Sequence, residues 1–167
     1  MPKLLLALFV LSGMVVFAAN SETVSRALDF ARPDVKVQIR GSVARADKKI
    51  ALDKSAQVGA GEIIDWTIAS SNEGAGEAKN FRVVGQIPQG TVFVEGSAKG
   101  EQLAQVTYSI DGGQTFAAQP LVDEKQADGT IKKVPAPVSM YTQLRFEWTD
   151  ALASKGKLNA AYQVRVK

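Results

Sequence analysis

Between Val58 and Ser97 apolar and polar residues alternate with period two, and only polar or Gly/Pro turns break the alternation. Ile64, Trp66 and Ile68 alternate with Asp65 and Thr67. The cluster from Ser70 to Gly76 interrupts, and Phe81 and Val83 resume the pattern. Ile87-Pro88-Gln89-Gly90 turns the chain again, and Val92 and Val94 continue it. Successive side chains of a strand point to opposite faces, so this pattern predicts antiparallel strands with one buried and one wet face. Asn72, Gly74, Pro88 and Gly90 are expected at the turns that separate them.

The same period runs through most of the chain. Val35, Val37, Ile39 and Val43 share one face, with Lys36, Gln38, Arg40 and Ser42 on the other. Arg45–Ala56 is charged and weakly patterned, with Ile50 and Leu52 as its expected inward pair. Ala98–Ala104 reads as a small-residue loop. Val106, Tyr108 and Ile110 form a strand that ends at Asp111-Gly112-Gly113, where Gly112 and Gly113 suit a turn with positive φ. Ala117–Val138 holds three of the six prolines and reads as a long loop or loose hairpin. Leu144, Phe146 and Trp148, then Ala160, Tyr162, Val164 and Val166, mark two closing strands. About seven to nine short strands with turns between them predict an all-β chain, an antiparallel β-sandwich with Greek-key connections. Its expected core is Trp66, Ile68, Phe81, Val83, Tyr108, Phe146, Trp148, Tyr162 and Val164. Because the chain ends inside a strand pattern, its last strand is expected to offer a sheet edge to a partner.

The N-terminus has a different character. Lys3 precedes Leu4–Ala19, an uncharged apolar run of 16 residues ending in small side chains. These are the parts of a secretory signal, and the run is shorter than the ~20 residues of a spanning helix. Residues 1–19 are therefore expected to be a signal peptide or an uncleaved anchor. Val24, Ala27, Leu28 and Ala31 follow helical spacing between Ser21, an N-cap, and Pro33. Residues 20–33 are expected to be a linker or short helix, and residues 34–167 a single sandwich domain. The expected location is outside the cytoplasm: periplasm, outer membrane or cell surface. Membrane association is expected only through an uncleaved N-terminal segment or a partner.

Composition narrows the chemistry. The chain has 20 Lys+Arg against 17 Asp+Glu, a net charge of +3, and its only adjacent basic pairs are Lys48-Lys49 and Lys132-Lys133. Nucleic-acid binding usually needs a clustered basic face, so no nucleic-acid partner is expected. With no Cys and no His, disulfides, thiolates and the commonest general base and metal ligand are missing. Asp111 beside two glycines falls far short of the roughly six to eight oxygens that calcium takes, and is read as a turn. Asp65 and Glu147 lie on solvent faces of alternating strands, which disfavours an acid–base pair. No catalytic, cofactor-binding or metal residue is expected. A ligand-binding loop at Ala117–Val138 would draw on the nearest aromatics, Phe116 and Tyr141.

Five segments resemble, in order, the conserved-repeat domain of bacterial and archaeal cell-surface proteins, the type called domain of unknown function eleven. Val58-Gly59-Ala60-Gly61-Glu62 leads into the Ile64–Ile68 strand and Asn72-Glu73-Gly74. Ile87-Pro88-Gln89-Gly90-Thr91-Val92-Phe93-Val94-Glu95-Gly96-Ser97 is similar to that family's Pro-x-Gly to Gly-Ser element. Tyr108-Ser109-Ile110-Asp111-Gly112-Gly113-Gln114-Thr115-Phe116 is similar to its Asp-Gly-Gly element. Leu144–Trp148 and Ala161–Val166 are similar to its last two strands, although Phe146 stands where the family has Trp. The resemblance implies an Ig-like sandwich, a role at the envelope or surface, and no shared catalytic residues. The expected function is a non-catalytic, exported structural or interaction subunit of the cell envelope, acting through sheet edges and loops. Its expected partners are envelope or surface-layer proteins or further copies of itself, without cofactors. The alternative expectation is a secreted or periplasmic module that binds a glycan or small ligand.

Overall fold

A computed structural model describes residues 32–46, 48–52 and 57–167. The expected signal segment and the helical spacing of residues 21–31 lie outside the described residues. The described chain is all-β apart from one 3-10 turn, Val138–Met140. Its strands are β1 (Val35–Arg45), β2 (Lys48–Ala51), β3 (Ile63–Asn72), β4 (Arg82–Gln86), β5 (Thr91–Phe93), β6 (Lys99–Gly100), β7 (Gln105–Ser109), β8 (Leu121–Lys125), β9 (Ile131–Pro135), β10 (Gln143–Glu147) and β11 (Lys157–Val166).

The larger sheet has the order β2-β1-β3-β11-β5, with β6 also paired to β11; the smaller is β4-β10-β7; β8 and β9 form a separate hairpin. Every pairing is antiparallel. The two main sheets share one core. Ile64, Ile68, Phe93, Leu158, Ala160, Tyr162 and Val164 come from the larger sheet and Leu144 and Phe146 from the smaller, with Trp148 and Leu152 beyond it. Trp66, Phe81, Val83 and Tyr108 pack against that cluster while half-buried. The aromatic rings form two stacks: Phe81 on Trp148 at 5.4 Å between centroids, and Tyr141 on Tyr108 at 4.9 Å. Such pairs add roughly 0.5–1.5 kcal/mol each to the burial of their surface.

Four details depart from the reading of the sequence. Phe93, not Val92 or Val94, enters the core: Phe93 pairs with Val164 on the inner face and Val92 with Arg165 on the outer. With a period of two, a shift of one residue exchanges the faces of a whole strand. The Ala98–Ala104 segment is not all loop, since Lys99–Gly100 pairs with β11. Of the two readings of Ala117–Val138, the hairpin is the one found, β8 with β9. Ile50, expected inward, is 40% exposed, whereas Leu52 packs on the core. The last strand is no edge. β11 lies between β3, which pairs with Lys157–Arg165, and β5 and β6, which pair with Val164–Val166 and Ala160–Ala161 on the other flank.

Candidate functional site

With β11 inside the sheet, the free edge of the larger sheet falls to the first half of β1. Val35–Val43 pair with β3 on one flank, but β2 covers only Ser42–Arg45 on the other. Alternate residues of a strand direct their N–H and C=O to opposite flanks. The Leu52 N–H donates to the Gly41 carbonyl at 2.8 Å, so odd-numbered residues of β1 face away from β3. Asp34 confirms the parity, since its carbonyl accepts from the Glu73 N–H on the β3 side at 2.7 Å. Among the described residues, the backbone groups of Val35, Val37 and Ile39 therefore point off the sheet without a strand beside them.

The side chains of the same residues face inward; Val35 packs on the core, but the core does not cover Val37 and Ile39. Val37 is 44% and Ile39 48% exposed, although Ile39 sits directly opposite Ile68, which is fully buried. The reason is width: the three-stranded sheet is too narrow to roof the flank of the larger one. Outward on the same segment stand Asp34, Lys36, Gln38 and Arg40. The Lys36 ammonium lies 2.9 Å from the Asp34 carboxylate, which raises the lysine's pKa, and Arg40 donates to Gln38 at 3.0 Å. An open ladder with exposed apolar side chains at the same positions is the form of a strand-accepting edge. Elsewhere the larger sheet is guarded. Lys48 and Lys49 lie on β2, and the Val138–Met140 turn packs on β5.

The residues singled out in the sequence fall in different places. Phe116 lies under the Arg145 guanidinium, 4.3 Å from its ring centre. Arg145 alternates with the buried Leu144 and Phe146, so Phe116 is on the outer face of the smaller sheet. Tyr141 stacks on Tyr108 and Phe93 at the inner face. The sheet thus separates the two aromatics, and they line no common cavity. A groove of about 400 Å3 near the end of the hairpin is lined by Val92, Phe93, Val138 and Val166, and by neither of them. Asp65 and Glu147 stand on the outer faces of different sheets. Asp65 accepts from Gln163 at 2.6 Å, and Glu147 pairs with Arg145 at 3.0 Å. The Asp111 carboxylate accepts from the Thr115 N–H and hydroxyl and from the Ser109 hydroxyl, bonds that hold its pKa far below the usual carboxylate range. Those bonds close a turn in which Gly112 and Gly113 adopt φ of 72° and 91°. Among the described residues no group of acidic side chains is placed to hold a metal ion.

Asn72 does more than the turn role read from the sequence. It is 1% exposed. Its Oδ1 accepts from the Asp34 and Gly74 N–H groups at 3.0 and 3.1 Å, and its Nδ2 donates to the carbonyls of Gly76 at 2.7 Å and Leu152 at 3.1 Å. This one amide ties the start of β1 to the loops after β3 and β10. Gly74 follows closely because an added Cβ would collide with the backbone of Arg32 and Asp34. Comparison with protein-family models, with curated proteins and with solved structures finds no match.

Proposed function

We propose that this chain is a non-catalytic, exported interaction subunit of the cell envelope, built on an Ig-like sandwich with Greek-key connections. In this reading it joins its partner by strand addition along Val35–Ile39. The observation that carries the reading is the coincidence, at Val37 and Ile39, of outward backbone groups with exposed apolar side chains. Strand addition draws affinity from main-chain hydrogen bonds and specificity from alternate side chains, and this segment supplies both. The leader-like Leu4–Ala19 run and the ordered resemblance to surface-protein repeats support the location.

The test is fractionation combined with a photo-crosslinking side chain placed at Ile39, with Ile131 on the hairpin as control. The expected result is recovery with the envelope and an adduct from position 39 that position 131 does not give. A protein confined to the cytosol, or equal labelling from both positions, overturns the proposal.

A further inference from the structure

Resting on that reading of the β1 edge, we infer that its occupant is a second copy of this chain, docked β1 to β1 about a twofold axis through Val37. The open backbone groups belong to odd residues, so a copy running antiparallel pairs odd with odd. With Val37 on the axis, Val37 meets Val37 of the copy and Val35 meets Ile39, each pair exchanging N–H and C=O. The apolar side chains of these residues then cover one another on the inner face, where the smaller sheet leaves Val37 and Ile39 open.

Charge selects this register. On the outer face it sets Asp34 opposite Arg40 and Lys36 opposite Gln38, twice over by symmetry. Moving the axis to Gln38 sets Lys36 against Arg40, and moving it to Lys36 sets that residue against its own copy. Like charges directly opposite destabilise an antiparallel pair. The ends agree as well. The Gly41 carbonyl is already taken by Leu52. The residue opposite Gly41 in this register is Pro33, which has no N–H to offer. Self-pairing therefore ends where β2 begins, and it joins two larger sheets into one.

The test uses the absence of native cysteine. Val37→Cys in the full chain, expressed in cells and oxidised, is expected to give a disulfide-linked dimer, because facing residues on the axis meet disulfide Cα spacing. Gln38→Cys, whose side chains would meet only in the shifted register, is expected to stay monomeric. Arg40→Asp in the Val37→Cys background sets a second carboxylate against Asp34, and is expected to lower the crosslinked fraction at least about fivefold. Adding Asp34→Arg is expected to restore it. Monomeric Val37→Cys alongside a retained adduct at position 39 with another protein overturns self-pairing and leaves the edge as an interface. Loss of both overturns the edge itself. A dimer equally strong from Gln38→Cys, or one indifferent to Arg40→Asp, also overturns the inference.

Discussion

The ring of Tyr162 occupies the space that a side chain at Gly85 would need: a Cβ on Gly85 would lie 2.5 Å from Cε1 of Tyr162. Tyr162 belongs to the larger sheet and Gly85 to the smaller. Their contact lets the phenol reach across the core and donate to the Gln86 carbonyl at 2.6 Å. Burial pushes the phenol's pKa well above its ordinary value, so it stays a donor throughout the usual pH range. Gly85→Ala is expected to destabilise by about 1–3 kcal/mol through overpacking. Tyr162→Phe is expected to cost about 0.5–1.5 kcal/mol through the lost bond to the partly buried Gln86 carbonyl. Urea unfolding of both variants checks these values. Unchanged stability in Gly85→Ala would show that the ring has other room.

Asn72→Ala is expected to cost roughly 3 kcal/mol or more, because several buried backbone groups lose their partner together. Asn72→Asp keeps the acceptor toward Asp34 and Gly74 but turns the donor side into repulsion against the Gly76 and Leu152 carbonyls. It is expected to be no milder. Thermal melts of the two variants against the parent decide the matter.

Ile39→Pro is expected to leave the fold within about 1–2 kcal/mol of the parent, since proline is tolerated on edge strands where its missing N–H faces outward. The same substitution at Ile68 on central β3 is expected to prevent folding. Circular dichroism and melting curves separate the two; a collapse of Ile39→Pro would place its N–H in a ladder.

Glu62 carries the acid response of the loop before β3. Its carboxylate accepts from Arg45 Nε at 2.6 Å and Nη2 at 2.7 Å, and from the Gly59 N–H at 2.6 Å. The Arg45 bonds first, then the backbone bond, lower its pKa from 4.5 to about 2. A depressed folded-state pKa means the contribution is complete above 4.5 and lost as pH falls through about 2. The stability gap between the parent and Glu62→Gln is therefore expected to be present near neutral pH and to close at pH about 2. Because the pair is exposed, added salt is expected to narrow the gap at neutral pH. Denaturant titrations across that range provide the measurement, and a gap that widens toward acid would contradict the sign.

Phe93→Ala is expected to cost about 3–5 kcal/mol, as for a buried aromatic, and Val92→Ala less than about 1. Equal losses would return Val92 to the core. This pair also marks where the sequence became ambiguous. In Thr91-Val92-Phe93-Val94 every residue suits a strand, so the reading with Val92 and Val94 on the apolar face met no local contradiction. Pairing of Phe93 with Val164 overturned it.

The period of two was legible in the residues without any structure. Ile64–Ile68, Leu144–Trp148 and Ala160–Val166 alternate so strictly that antiparallel strands, and the inward face of each, follow from side-chain geometry alone. Turn chemistry was equally local: Asp111-Gly112-Gly113 and Pro88-Gln89-Gly90 needed only backbone sterics. Which strands become neighbours was not local, because strand pairing joins residues far apart in the chain. Tertiary packing made β11 central and β1 the open edge. It also sank Asn72 under three segments, and left Val37 and Ile39 uncovered by drawing only three strands into the opposing sheet. A pattern states which face of a strand is apolar; only the packing of the other sheet decides whether that face is covered.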